Sequence, residues 1–200
     1  MPKKAVLLSI KPKYCELFAN GKKTIEVRKA RPKLEPPFKC YIYCTKPKMI
    51  TKYVFKPEDY PEYMRPEKVV FCKLPDASSP FCSNVNGNSK VIGEFVCDSI
   101  DTYDDDTISA FSSENYVRWN DFDLNRACIH PQDFEDYANG KWLYGWHISD
   151  LKIYDEPKEL GKFYKIPTNC HSGIQKDNCD YCFDCQITRP PQSWCYVEEV

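Results

Sequence analysis

Long apolar runs are missing from this 200-residue chain. No stretch approaches the roughly 20 consecutive apolar residues that a membrane-spanning helix needs, so no membrane partner is expected. The first ten residues hold two lysines and a short apolar segment. They lack the longer apolar region and the small-residue cleavage site of a secretory signal. The expected compartment is therefore the cytoplasm, and the expected state of the thiols is free. Internal repeats and low-complexity tracts are absent. So is the regular alternation of strand and helix that a doubly wound parallel sheet requires. Net charge is almost nil, at −1. Nothing specifies an oligomeric state.

The small net charge hides a dipolar chain. Residues 1–33 carry ten basic and two acidic residues, whereas residues 98–136 carry eleven acidic and two basic. A basic segment is the electrostatic footprint expected for phosphate or nucleic acid. Two solvated faces of opposite sign would give the same count. Twelve cysteines are present. Those in apolar contexts, such as Cys72 and Cys97, read as small hydrophobes.

Residues 7–28 are the most informative stretch. An apolar run over 5–10 reads as a buried strand. Lys11-Pro12 breaks it, and proline suits the first turn of a helix. Pro12–Ala19 fits a short helix with Cys15, Leu17 and Phe18 as its apolar residues. Asn20-Gly21 is a helix stop, since both residues tolerate the left-handed conformation. Residues 24–28 then alternate polar and apolar, as in a half-buried strand. Thr24, Glu26 and Arg28 would share one face of it. A lysine, a hydroxyl, a carboxylate and a guanidinium would thus emerge from one strand–helix–strand unit.

Further strands are expected over 38–45, 69–74 and 91–97, and one or two over 142–153. Gly93 marks a bulge or a close approach. Residues 46–66 and 75–90 read as irregular excursions, with a tight turn at Asn86-Gly87. The acidic region 98–123 reads as loop with one helical turn around Ile108. Pro131–Ala138 reads as a helix started by proline, capped at His130 and stopped by Asn139-Gly140. Such short strands, irregular connections and few helices predict an α+β, mainly β protein. A small closed β-barrel with flanking short helices would leave no sheet edge exposed.

Ser9-Ile10-Lys11-Pro12, followed by Gly21-x-Lys23-x-x-Glu26-x-Arg28, resembles the signature of ASCH domains. Gly93-Glu94-Phe95, Tyr144-Gly145-Trp146-His147-Ile148 and Asp155-Glu156-Pro157-Lys158 are similar to later strands of that family. The resemblance covers roughly residues 4–165. It implies a PUA-like β-barrel, a cleft lined by the signature, and RNA or a nucleotide-like small molecule as partner. Some family members deacylate acetylated cytidine with a lysine, a threonine nucleophile and a glutamate. Lys23 matches that lysine, but Glu26 holds the nucleophile position and Thr24 falls in another slot. Others are ribonucleases that use lysine, tyrosine and arginine.

The expected binding residues are therefore Lys11, Lys23, Thr24, Glu26 and Arg28, with Trp146 or Tyr43 stacking on a base. The alternatives are an enzyme acting on RNA or a modified nucleoside, and a protein-interaction module. A structural Glu26–Arg28 ion pair is the plain alternative at the site itself. His147 reads as a satisfied, partly buried histidine.

The end of the chain forms a second feature. Residues 1–165 read as the barrel domain and 166–200 as a cysteine-rich segment. Cys179-x-x-Cys182-x-x-Cys185, with Cys170 and His171 upstream, has the residue types of a structural zinc site. The expected ligands are Cys170, Cys179, Cys182 and Cys185, with His171 and Cys195 as alternatives for the two besides Cys179 and Cys182. Residues 189–197 read as a last strand that returns to the barrel, making the cysteine-rich part an insertion.

Overall fold

The computed structural model describes residues 3–46, 62, 89–112, 123–166 and 185–200. The expected strand at 69–74, the turn at Asn86-Gly87 and the excursion at 47–61 lie outside them.

Six strands form one mixed sheet: β1 (Lys4–Ile10), β2 (Ile25–Arg28), β3 (Phe38–Cys44), β4 (Lys90–Tyr103), β5 (Leu143–Glu159) and β6 (Trp194–Glu198), in the order β2-β5-β4-β3-β1-β6. Strands β1 and β3 run parallel, and the other pairs are antiparallel. Among the described residues four short α-helices accompany them: α1 (Pro12–Ala19), α2 (Asp105–Ser112), α3 (Asp123–Ala127) and α4 (Pro131–Ala138). The mainly β expectation holds, but the expected barrel does not close. Among the described residues the ladder ends at β2 and β6, and no backbone pairing joins them.

The sheet nevertheless curls strongly. Strands β2 and β1 stand four places apart, which in a flat sheet is about 19 Å. Yet the Arg28 guanidinium of β2 donates from Nη2 to the Ser9 carbonyl of β1 at 2.8 Å. A side chain crosses where a ladder would have to run to complete a barrel.

Burial explains the apolar run of β1. Val6, Leu8 and Ile10 face the inside of the curl with Ile42, Phe95 and Trp146. Ala5 and Leu7 face the other way, against Tyr41, Phe163 and Val197. Both faces are covered, so alternation disappears. Strand β2 corrects the half-buried expectation, because all four residues are buried. Ile25 and Val27 pack on α2, α3 and α4 through Ile108, Leu124 and Phe134. Glu26 pairs directly with Trp146 of β5, so the two share the inner face. The polar–apolar alternation of β2 therefore separates two buried environments rather than protein from water.

Local signals set the helices. Helix α1 has proline in its first turn and buries Cys15, Leu17 and Phe18 as expected, and Glu16 as well. At its end only Gly21 takes positive φ, +68°, while Asn20 stays at −90° and its amide caps the Glu16 carbonyl at 2.8 Å. In α4 His130 accepts from the Gln132 N–H, and Asn139 adopts the left-handed conformation with φ 48°. The acidic region is more ordered than its composition suggests. Strand β4 runs on through Asp98 to Tyr103, and Asp104 then caps α2 by accepting from the Thr107 N–H at 2.9 Å. Carboxylates at a helix start complement its dipole. Gly93 serves both expected purposes: the register shifts beside it, and a Cβ there would lie 2.5 Å from the Lys152 carbonyl.

Strand β6 pairs antiparallel with β1. No described helix is long and apolar enough to cross a membrane.

Candidate functional site

The stop at Asn20-Gly21 turns the chain inward. The N–H groups of Lys22 and Lys23 both donate to the Leu17 carbonyl, at 3.0 and 3.1 Å, wrapping the end of α1. Lys23 enters the interior there and is only 4% exposed. Its ammonium donates to the Ala127 carbonyl at 2.5 Å and lies 3.3 Å from Glu26 Oε2. The other oxygen, Glu26 Oε1, lies 3.0 Å from Arg28 Nε, an ion pair in distance whose N–H is not aimed at the oxygen. Lys23, Glu26 and Arg28 thus form a buried cation–anion–cation row, with Glu26 7% and Arg28 8% exposed.

This row floors a cleft of about 820 Å³, whose wall includes the end of β1, the start of α1 and the face of α4. Small-molecule sites have volumes of roughly 300–1,000 Å³. Lys11, Lys13 and Lys46 stand at the rim with Asp133 opposite in sign. Lys11 and Lys46 are exposed and Lys13 is half-buried. Two tyrosines that the sequence did not single out line the same cleft, Tyr14 and Tyr137. The ammonium of Lys13 lies 4.6 Å from the Tyr14 ring and that of Lys23 5.2 Å. Burial, helped by Glu26 and Asp133, pushes the Tyr14 phenol up to about 12. It is a proton donor at neutral pH. Tyr137 is 37% exposed, with Lys29 over its ring at 5.0 Å. Burial raises its phenol too.

Lys11, Lys23, Glu26 and Arg28 therefore converge. Thr24, Trp146 and Tyr43 do not line the cleft. Thr24 points its hydroxyl at Arg126, accepting from Nε at 3.2 Å, and does not line the cleft. It precedes β2 and escapes the alternation that puts Glu26 and Arg28 inside. Trp146 lies on the inner face but is wholly buried, edge-on to Phe38 at 5.9 Å and to Trp194 at 6.0 Å. It backs the floor and offers no face to a base. Tyr43 is equally enclosed, packed with Val91 and Phe163. Arg28 is heavily engaged: besides Ser9, its Nη1 donates to the Ser193 carbonyl at 3.4 Å and hydroxyl at 3.2 Å. His147 is partnered, with Nε2 2.5 Å from Asp101 Oδ2.

The seven described cysteines are free thiols. Burial drives the Cys15 and Cys40 thiols well above the ordinary range, as befits packing atoms. Cys170, Cys179 and Cys182 lie outside the described residues, as does His171. Cys185 lies within them and is half-buried. Among the described residues no group of three or more His, Cys, Asp or Glu could hold a metal ion.

Fold and cleft together define an open, curled β-sheet protein with an ionic pocket between its first helix and a short helical face. No family model and no curated protein matches the chain. Solved structures do. The ASCH protein of Zymomonas mobilis matches with TM-score 0.50 and 16% identity, over 98% of this chain and 88% of that one. A serine-to-alanine variant of it gives 0.52 and 17% over 100% and 92%, and a tyrosine-to-phenylalanine variant 0.51 and 16% over 98% and 92%. The chain has the fold of these ASCH structures, as the signature at residues 9–28 implied.

Proposed function

We propose that the cleft binds single-stranded RNA or a nucleotide-like ligand. The observation that carries this reading is the convergence of cations and tyrosines on one pocket in an ASCH fold. Lys11, Lys13 and Lys46 take phosphate oxygens, for which a compact ammonium is suited. Tyr137, and Tyr14 deeper in, supply ring faces for a base. Glu26, held by Lys23 and Arg28, accepts from an exocyclic amine. The start of α1 adds to the field, since Lys11 makes no side-chain cap and no acid stands in the first turn.

The test is titration of a labelled single-stranded RNA over a range of salt. Replacing Lys11, Lys13 and Lys46 by alanine should weaken binding across sequences. It should also lower the log–log salt slope by about 0.7 for each lost contact. Unchanged affinity and slope would remove the reading.

One observation favours a second reading, an enzyme acting on RNA or a modified nucleoside. The protonated Tyr14 phenol shares the floor with Lys23 and Glu26, an acid beside a carboxylate. The hydroxyls of Thr24 and Ser9 are poor nucleophile candidates, the latter donating to the Pro191 carbonyl at 2.6 Å. Incubation with RNA and with acetylated cytidine tests this; intact substrates at high protein concentration would leave binding alone.

A further inference from the structure

A second polar chain lies outside the cleft and ends on its deepest cation. Asp101 of β4 faces His147 Nε2 of β5 at 2.5 Å, and His147 Nδ1 faces Arg126 Nη2 of α3 at 3.4 Å. Arg126 Nε donates to the Thr24 hydroxyl at 3.2 Å, and the Arg126 carbonyl accepts from the Thr24 N–H at 2.8 Å. The next carbonyl, that of Ala127, holds the Lys23 ammonium. Arg126 is thus tied by both its side chain and its backbone, one residue before the group that fixes Lys23.

Helix α3 has five residues, Asp123–Ala127. So short a helix has little stability of its own. Leu124 and Ala127 seat it on the core, at 5% and 1% exposure. Apolar contacts are non-directional, whereas the Arg126 fork sets where the last carbonyl points.

We propose that Arg126, oriented by the His147–Asp101 pair, is a positioning residue that aims the Ala127 carbonyl and so places the Lys23 ammonium in the cleft. The proposal rests on the binding reading only for its functional meaning. Asp101 from β4 and Arg126 from α3 face the ring, while β2 sets Ile25 opposite it. With a guanidinium N–H facing Nδ1, the ring carries its proton on Nε2 and gives it to Asp101. Without the ring the Arg126 fork loses that anchor, and the Lys23 ammonium shifts with the Ala127 carbonyl.

The test follows the Lys23 side-chain ammonium by nuclear magnetic resonance in the full chain, beside the His147 ring signals. The expected result is a Lys23 resonance displaced in Arg126→Ala and in His147→Ala. In His147→Gln it should stay near its position in the unsubstituted protein. That amide keeps an acceptor for Arg126 and a donor for Asp101. A Lys23 resonance that stays in place in Arg126→Ala overturns the proposal, as does a displacement in His147→Gln as large as that in His147→Ala. No oligonucleotide enters this readout, so its failure and that of the binding reading are distinguishable.

Discussion

Arg28 illustrates how far a residue's chemistry depends on its reach. The sequence presents it as a fork for phosphate. In the fold, three of its contacts go to Ser9 and Ser193 and a fourth to Glu26. Arg28→Met should leave Glu26 with one cation and cost about 3–5 kcal/mol, the range for breaking a buried pair; urea unfolding measures it. Tyr14 gives a pH prediction. Its folded pKa, about 12, lies above the unfolded value near 10. The stability it contributes is fully present below pH ~10 and is lost as pH rises toward ~12. Phenolate absorbance should therefore show one late-titrating tyrosine fewer in Tyr14→Phe than in the unsubstituted protein. Lys11, Lys23, Glu26 and Arg28 were legible because one short unit carries them. Tyr14 had a signal as well: it sits four residues before Phe18 on α1, and both rings lie near Lys23. Trp146 was misjudged because alternation reports which face a side chain takes and not how deep it lies.

Among the elements, strand β2 and the β4–β5 pair decide the shape. Four buried residues let β2 serve the helical face and the ionic floor at once. Sequence alternation marked the two faces, but only the later helices could show that both are covered. The bulge at Gly93 lets the long strands bend. Gly93→Ala would drive a Cβ to 2.5 Å from the Lys152 backbone, where no flexible side chain can yield. We expect a loss of at least about 1–3 kcal/mol, the usual cost of overpacking, read as a lower thermal midpoint. Helices α1 and α4 were readable from proline starts and Asn-Gly ends. Helix α2 was read only as one turn around Ile108, because its start is written in aspartates, which composition alone assigns to solvent.

For the molecule as a whole, the open curl of the sheet was not legible. It turns on residue 28 meeting residues 9 and 193, a contact no local pattern encodes. The zinc expectation is also a whole-chain matter, since Cys185 precedes the strap that carries Ser193. Metal analysis of protein purified without added zinc tests it, one zinc per chain being the outcome that supports it. Freely titratable thiols with substoichiometric metal would refute it. The Arg28 strut carries a last consequence. Among the described residues the backbone is an open ribbon with two ends, and the Arg28 side chain fastens it into a loop. That seam can part without breaking one ladder bond. Amide hydrogens of β2, bonded to a single neighbour, should exchange with deuterium sooner than those of β1 and β3, which are paired on both sides. A ligand resting on the floor row would then act as a clasp, slowing that exchange from within.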